Sequence, residues 1–342
     1  MALYLRDLPG RTLRTLADEV NIDDSLWGGV TTEMDVRIED DRMYFTFGTE
    51  QVPATADGME QLASFVDVPR NYLARIEPDM QQFNLSHMLR RNPANVAVRY
   101  TEDGIHEVYK PDRVRLEPRQ IVDKAIGVMG EEAELVESVV DSDELFFDVM
   151  VPEDFDRAVG GDLQTGDITR GGLRFSQDRK HNHAPQVNTF LFRLLCTNGL
   201  VVPETGLTLD ARGSTVDSLL AELEMAAERA FSQVEEELEH FYGLRQQRVE
   251  GDVTQTVLRV AQEQGLPDRT AMALSRRVPD QLNPEILGHE VSMFDVVNLI
   301  TNQANHPDIR NRRNSRRALE SAGGNLVRSV ADRCGTCHQQ IA

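Results

Sequence analysis

The sequence predicts an α+β fold, in which a mixed or antiparallel sheet with helices is followed by a mainly helical C-terminal region. Hydrophobic residues make up 40% of the 342 residues, which is enough to bury a core. Several short segments before residue 200 alternate apolar and polar residues, which is typical of strands. After residue 214 the apolar residues recur at three- and four-residue steps, which is typical of helices that bury one face.

The first third of the chain is predicted to form hairpins and helices. Its predicted elements are a short helix at 4–20, a β-hairpin at 34–48, two or three helices at 56–91 and a hairpin at 95–116. Pro69 predicts a helix start within an apolar seam that includes Tyr72. Asp103 and Gly104 predict the turn of the second hairpin. The paired helices resemble a helix-turn-helix in outline, and a helical pair inside a core has the same pattern.

Residues 118–202 are predicted to continue the sheet. The predicted elements are a helix at 118–135, a strand at 145–151, a loop rich in Gly and Asp at 159–172, and strands at 172–176 and 187–196. The last of these is also consistent with a buried helix, because a short apolar run fits both structures. Asn198 and Gly199 follow it, and this dipeptide predicts a tight turn with positive φ.

The C-terminal part is predicted to be helical. Ser214 or Thr215 is a candidate N-cap, with Asp217 in the first turn of a helix whose apolar stripe ends at Phe241. Such a stripe indicates core packing, with a surface for a partner helix as the alternative. Shorter helices are predicted at 252–264, 268–278, 291–304 and 314–333.

A change of composition near residues 203–214 predicts a domain boundary. Pro203, Gly206 and Gly213 punctuate this stretch. The predicted division is an α+β core domain at 1–210 and a helical C-terminal region with a basic tail at 211–342, with one continuous domain as the alternative.

Composition also predicts where the protein works. The first twenty residues carry charges throughout, so they do not resemble a secretory signal. No window approaches the roughly 18 uninterrupted apolar residues that a membrane span needs. Three cysteines are too few for a disulfide framework and fit a reducing compartment. We therefore expect a cytoplasmic protein without a membrane partner, in the host cytoplasm if it is virus-encoded.

The charge is strongly negative and unevenly distributed. The formal net charge is −21, and only three of the 36 basic residues are lysines, which leaves 33 arginines. This pattern fits both a halophilic source and a GC-rich mesophile. It argues against a general nucleic-acid coat, because phosphate binding depends on basic residues, but it allows a local basic groove. Glutamates dominate residues 214–250, whereas arginines crowd into two short stretches.

Those two basic stretches predict a surface for single-stranded nucleic acid. The candidate binding residues are Arg170, Arg174, Phe175, Arg179, Lys180, Arg193, Arg312, Arg313, Arg316 and Arg317. Arginines would neutralise phosphates, and Phe175 or Phe192 would stack on bases. Arg193 lies in an apolar strand and needs an anionic partner, which is either a phosphate or a carboxylate such as Asp178 or Asp148.

Two groups of residues are candidates for metal binding. Cys334, Cys337 and His338 fit the C-x-x-C-H pattern of covalent haem attachment, which takes place outside the cytoplasm. Zinc at this cysteine pair would need a fourth ligand, and a fortuitous pair in an exposed tail is the other interpretation. His181 and His183 are spaced to share a metal on one face of a strand, and solvated loop histidines are the alternative. Apart from this zinc possibility, no cofactor is expected.

Two motifs carry a resemblance to a known family. RLLCTNGL, preceded by RFSQD, resembles the signature of the phage/plasmid-like proteins catalogued as domain of unknown function 932. The segment FDVVNLIT with the histidine after it resembles a downstream helix of that family. The matching residues are Ser176, Asp178, Arg193, Cys196, Asn198, Gly199, Asn298, Thr301 and His306. The chain departs from the first signature at 175–179, where the family's Asn, His and Gly are absent.

The resemblance implies an accessory protein of a mobile element and assigns no reaction. Our leading hypothesis is non-catalytic handling of single-stranded nucleic acid in recombination or replication, with an oligomer as one possible assembly. One alternative is an acidic interaction or anti-defence protein that uses the helix at 214–241 to bind a host or phage protein. Another is a metal-dependent enzyme built on His181, His183 and Cys196.

Overall fold

The α+β class is confirmed by a computed structural model. The model describes residues 3–6, 10–20, 27–31, 34–40, 42–91, 95–141, 144–151, 159–162, 167–179, 183–193, 198–202, 209–304, 306 and 313–339. Within these ranges the strands lie before residue 203 and the long helices follow residue 215. No helix in the described ranges has the length and apolar character to cross a membrane.

The strands in the described ranges form three antiparallel sheets. In chain order they are β1 (Leu3–Arg6), β2 (Trp27–Thr31), β3 (Met34–Glu39), β4 (Arg42–Phe47), β5 (Glu50–Pro53), β6 (Val96–Thr101), β7 (Gly104–Tyr109), β8 (Leu135–Val140), β9 (Glu144–Met150), β10 (Val159–Asp162), β11 (Asp167–Asp178), β12 (Gln186–Arg193) and β13 (Asn198–Val202). The large sheet has the order β1-β8-β9-β11-β12-β13, with β10 paired to β11. The small sheets are β2-β6-β7 and β3-β4-β5.

Two of the described helices begin at the residues that the sequence predicts as helix starts, Pro69 and Thr215. In chain order the described helices are α1 (Leu13–Glu19), α2 (Ala56–Phe65), α3 (Arg70–Leu73), α4 (Pro78–Arg91), α5 (Pro118–Met129), α6 (Val216–Gly243), α7 (Val253–Glu263), α8 (Asp268–Ser275), α9 (Val278–Gln281), α10 (Pro284–Leu287), α11 (Met293–Gln303) and α12 (Arg313–Gln339). Pro69 is the N-cap of α3, as predicted. Thr215 caps α6, because its hydroxyl oxygen accepts a hydrogen bond from the Ser218 amide at 3.1 Å.

Three local predictions are wrong, each because pairing between strands overrides the local pattern. Residues 3–6 form β1, which pairs with β8, instead of the start of a helix. The stretch at 159–172, predicted to be a loop, forms β10 and the start of β11. Asn198 and Gly199 do not form a turn, because they start β13 opposite Arg193 and Phe192 of β12.

Helices cover both faces of the large sheet. Alternate residues of β9, among them Phe147, belong to a core cluster that joins α1, α5 and α6 to the sheet and extends through α11 into α12. The opposite face carries Phe146 and Asp148, which are also buried. Side chains of α12 bond to residues of this second face. Because this cluster runs from Leu13 to Val330, it contains residues from both sides of residue 210.

A second core lies within the first third of the chain. Its buried residues run from Met34 to Val108 and join α2 and α4 to strands of the two small sheets. We call residues 34–109 the N-terminal unit. The hydroxyl group of Ser86 on α4 donates a hydrogen bond to the Val36 carbonyl at 3.1 Å, which anchors α4 to β3. The opposite face of α4 points away from this core.

Candidate functional site

Arg174, a central member of the predicted nucleic-acid surface, is buried between the large sheet and α12. It is 5% exposed. Its Nε and Nη2 donate to the two carboxylate oxygens of Asp148, each at 2.6 Å, and its Nη1 donates to Glu320 at 2.8 Å. All three nitrogens therefore bond to carboxylates of the protein, and the prediction that Arg174 meets nucleic acid is wrong.

The predicted basic arm at 310–317 is also partly internal. Arg316 is fully buried and forms an ion pair with Glu137, and its Nε lies 3.5 Å from Glu320. Arg317 forms an ion pair with Glu144 and lies 3.9 Å above the ring of Phe146. These arginines attach α12 to the sheet, because each meets a carboxylate that the sheet supplies. Arg316 is therefore not part of an exposed basic arm, whereas Arg317 is 23% exposed and its predicted role stays a prediction.

The remaining described members follow the same pattern. Arg170 donates to Glu134 at 2.7 Å, and Arg179, 6% exposed, donates to Glu107 at 2.6 Å. Phe175 is fully buried against Phe147, with ring centroids 4.8 Å apart, so it cannot stack on a base. Lys180 and Arg312 lie outside the described residues, as do the side chains of Arg193 and Arg313. The predicted basic groove is therefore not formed by the members that the structure describes.

The described family-signature residues, except His306, lie on four elements, and Asn198 of β13 is the register partner of Arg193 on β12. Ser176 and Asp178 lie on β11, and Asn198 and Gly199 on β13. On α11, Asn298 Nδ2 donates to the Phe294 carbonyl and Thr301 Oγ1 donates to the Val297 carbonyl, which are bonds within the helix. His306 lies three residues beyond the end of α11, and Cys196 lies outside the described residues.

No metal site is assembled by the residues that the structure describes. No group of three His, Cys, Asp or Glu residues among them is placed to hold an ion. His183 Nδ1 lies 3.8 Å from Asp178, whereas His181 lies outside the described residues. Cys334, Cys337 and His338 lie on α12, and their side chains are outside the described part. The zinc and haem interpretations of that motif stay predictions.

The glutamate-rich helix α6 packs mainly as core, as its stripe predicts. Its buried residues include Leu223, Ala227 and Leu238, which face the large sheet and α5. Even Glu237 is buried, and Arg328 of α12 donates to it at 2.7 Å. The remaining glutamates of α6 leave a partly exposed acidic face.

The charged groups between sheet and α12 form one unit, which we call the interlayer ion cluster: Glu137, Asp148, Arg174, Arg316 and Glu320. Three carboxylates and two guanidinium groups leave one net negative charge. Burial raises the pKa of Asp148 to about 6; Arg174 opposes this rise, and the neighbouring carboxylates reinforce it. Deprotonating Asp148 therefore costs more in the folded protein than in the unfolded chain.

This pKa predicts a pH effect on stability. The pKa of Asp148 is higher in the folded protein than in the unfolded chain. The stability that protonated Asp148 contributes is therefore complete below pH 4 and is lost as the pH rises through 6. We expect the difference in unfolding free energy between the wild type and Asp148→Asn to fall by about 3 kcal/mol between pH 4 and pH 7. Urea denaturation at each pH measures it. A constant difference would contradict the raised pKa.

The exposed face of α4 carries a row of ring and apolar side chains. Met80 is 48% exposed and Phe83 62% exposed, at positions i and i+3 of the helix. The His87 imidazole stacks on Phe83, with centroids 5.9 Å apart and planes inclined by 10°. Tyr72 of α3, 45% exposed, accepts a hydrogen bond from Asn84 Nδ2 at 3.2 Å and so lies beside the row. We call Tyr72, Met80, Phe83 and His87 the aromatic face.

The segment that carries this face has a positive net charge although the whole protein is acidic, and one of its arginines, Arg70, pairs with Glu60 at 2.6 Å. Residues 70–91 contain four arginines against Glu77 and Asp79, which leaves a net charge of +2. Arg75 and Arg91 are exposed, and Arg90 pairs at the surface with Asp35 at 3.0 Å. A positive segment with exposed rings attracts anionic ligands that present flat apolar surfaces.

Cavities border α4 on two sides. One has a volume of about 420 Å³ and an apolar wall that includes Ile38, Met59, Leu73 and Pro78, with Arg70 also lining it. The other, of about 500 Å³, is polar and is lined by residues of β3 and β4 together with Leu89 and Arg90 of α4. Both volumes are in the range of ligand-binding pockets.

No protein-family model matches the chain, and no curated protein or solved structure matches it either. The resemblance to the phage/plasmid-like family therefore rests on the short motifs quoted above and stays a prediction. The description of the aromatic face depends only on the exposure and contacts of its own residues.

Sequence reasoning missed this face. The predicted apolar seam is buried at Leu62, Val66 and Leu73, but its member Tyr72 is 45% exposed, because the single turn of α3 points Leu73 inward and Tyr72 outward. Two signals were present in the sequence. Residues 70–91 are net positive in a chain of charge −21, and Met80, Phe83 and His87 recur at helical spacing.

Proposed function

We propose that the protein binds single-stranded nucleic acid without catalysing a reaction, and that it does so through the aromatic face of α4. The proposed function is the one predicted from the sequence, but the proposed binding surface is the aromatic face and not the predicted basic groove. The resemblance stated above would make it an accessory protein for recombination or replication of a mobile element, in the cytoplasm. The observation that carries the proposal is Phe83, a ring that is 62% exposed and stacked with His87 on the outer face of α4.

The chemistry of single strands fits this arrangement. Unpaired bases expose flat π-surfaces, and aromatic side chains stack on them without regard to sequence. Arg75 and Arg91 are exposed, and Arg91 follows His87 by one helical turn, so these two arginines can supply counter-charge for phosphates beside the aromatic face. The rest of the acidic surface repels a polyanion, so we expect binding to be confined to this patch.

Phe83→Ala is the most direct test. We expect it to weaken binding of a fluorescently labelled oligothymidylate about 10- to 100-fold, because stacking contributes about 1–3 kcal/mol per base. Fluorescence anisotropy at low salt measures the affinity. The matched control is Met272→Ala, which removes a side chain of similar exposure (55%) from α8, outside the proposed surface. Equal affinities of Phe83→Ala and wild type would contradict the proposal, as would absence of binding by the wild type.

The arginines are tested by the salt dependence of the same binding. For Arg75→Ala with Arg91→Ala, we expect weaker binding and a slope of log K against log salt reduced by about 1. Arg269→Ala on α8 is the control for loss of an exposed arginine. An unchanged slope would show that these guanidinium groups do not contact phosphate.

A protein partner is the second candidate, and the apolar cavity of about 420 Å³ favours it. Aromatic and arginine side chains beside an apolar pocket are also what binds the anchor residue of a partner protein. Ala74 is exposed and lines the cavity, so Ala74→Trp would fill the entrance and leave Phe83 in place. Nucleic-acid binding should survive this substitution, whereas binding of a protein anchor should be lost.

A further inference from the structure

A second group of charges lies where the N-terminal unit meets the large sheet. Arg99 lies on β6 and Glu107 on β7, Arg115 lies between β7 and α5, and Arg179 directly follows β11. Glu117, the N-cap of α5, completes the group. We call these five residues the junction cluster. None of them belongs to the aromatic face.

Two guanidinium groups share one carboxylate oxygen in this cluster. Arg115 Nη2 and Arg179 Nη2 donate to Oε1 of Glu107, at 2.7 and 2.6 Å. Arg99 Nη1 lies 3.6 Å from the other oxygen of Glu107 and donates to Glu117 at 2.5 Å. Arg115 Nη1 also donates to the backbone carbonyl of Arg179 at 3.1 Å. Three positive side chains therefore meet two carboxylates, which leaves one net positive charge.

The centre of the cluster is buried, whereas Arg99 and Glu117 at its edge are 14% and 28% exposed. The side chains of Arg115 and Arg179 are 5% and 6% exposed, and that of Glu107 is 5% exposed. A buried charge without a counter-ion is costly, because the protein interior solvates it poorly. Burial lowers the pKa of the Arg115 guanidinium, with Glu107 opposing and Arg179 reinforcing the shift. The five groups thus lack one anion.

Several donors of the cluster are also unused. Among the described residues, Arg179 Nε, Arg179 Nη1 and Arg115 Nε are buried without a hydrogen-bond acceptor, and one acceptor, Glu107 Oε2, is buried without a donor. The unused donors therefore outnumber the unused acceptor by three to one. Arg174 is an internal comparison, because it is equally buried and all three of its nitrogens bond to carboxylate oxygens. Arg316 of the interlayer ion cluster also leaves its buried Nε without an acceptor, whereas Arg179 leaves two nitrogens, Nε and Nη1.

We propose that the junction cluster binds a phosphate-class oxyanion on the unused N–H groups of Arg115 and Arg179. Such an anion accepts several hydrogen bonds at once and supplies the missing negative charge. Inorganic phosphate and the terminal phosphate of a nucleotide share this chemistry. Because Arg115 and Arg179 both donate to Glu107 of the N-terminal unit, the ion would complete the charge balance where that unit meets the large sheet.

Phosphate binding by the full chain is the test. We expect the melting temperature to rise and saturate as inorganic phosphate replaces chloride at constant ionic strength, because a ligand that binds only the folded state stabilises it. Arg179→Gln should abolish the rise, whereas the surface control Arg269→Gln should keep it. Arg179→Lys, which retains the charge but has no planar fork of donors, should bind at least tenfold more weakly.

Equilibrium dialysis of the wild type against radiolabelled phosphate does not depend on how any variant folds. Binding near one ion per chain supports the proposal, and absence of binding at millimolar phosphate overturns it. Competition by a nucleoside 5′-monophosphate would identify a terminal phosphate as the ligand, and lack of competition would identify the free ion. An oligothymidylate without a terminal phosphate should not compete, which separates this site from the aromatic face.

Discussion

Replacing Arg174 with methionine is expected to lower the free energy of unfolding by about 3–5 kcal/mol. The guanidinium holds Asp148 through two bonds and Glu320 through a third, all three side chains being nearly inaccessible to water. Removing it leaves both carboxylates without their main positive partner, and an unpaired buried charge costs far more than a lost surface contact. Urea denaturation at pH 7 measures the change.

The control for Arg174→Met is the same substitution in an exposed ion pair. Arg14 pairs with Glu131, and both side chains are 54% exposed. Water solvates both charges when the pair is broken, so Arg14→Met should leave the denaturation midpoint nearly unchanged. If the two variants lose similar stability, the interlayer ion cluster does not hold α12 on the sheet. Adding Asp148→Leu to Arg174→Met should restore part of the loss, because it removes one unpaired carboxylate.

Gly172→Ala is expected to destabilise the fold by about 3 kcal/mol, near the upper end for overpacking. Gly172 lies on β11 in the middle of the large sheet, opposite Met150 of β9. A β-carbon there would lie 2.3 Å from the Val149 carbonyl oxygen and 3.2 Å from the Met150 α-carbon. Both are backbone atoms of a central strand, so only separation of the two strands could make room.

A glycine in an open position provides the matched control. No other atom lies within 4 Å of the position that a β-carbon would take at Gly127, on the exposed side of α5. Gly127→Ala should stabilise the protein by about 0.5–1 kcal/mol, since alanine favours helix and restricts the unfolded chain. Thermal unfolding of both variants gives the comparison. If Gly172→Ala is as stable as the wild type, the two strands can move apart without cost and the prediction is wrong.

Local sequence signals were sufficient for most of the secondary structure. Pro69 and Thr215 begin helices as predicted, and Gly104, with φ of +142°, ends the turn of the second small hairpin. These predictions hold because a cap or a turn is decided by a few adjacent residues. The stretch at 159–172 was different, because its glycines suggest a loop and only pairing with neighbouring strands makes it part of the sheet.

The positions of the arginines could not be read in the same way. Arg174 and Glu320 are 146 residues apart, and Arg316 and Glu137 are 179 apart, yet each pair is in contact. The sequence of an arginine cluster does not show whether carboxylates from distant elements neutralise it. A buried cluster and a solvent-exposed one therefore have the same local pattern. For this reason the sequence did not reveal that Arg174 and Arg316, two of the predicted groove residues, are internal.

By itself the sequence determined the fold class, the limits of most elements and the acidic character of the chain, since these depend on short-range pattern and composition. The tertiary structure decided which charges are internal, which rings stay exposed on α4, and where a buried positive charge lacks its partner. Burial and pairing are properties of distant residues brought together by the packing of the core, and short-range pattern carries little information about them.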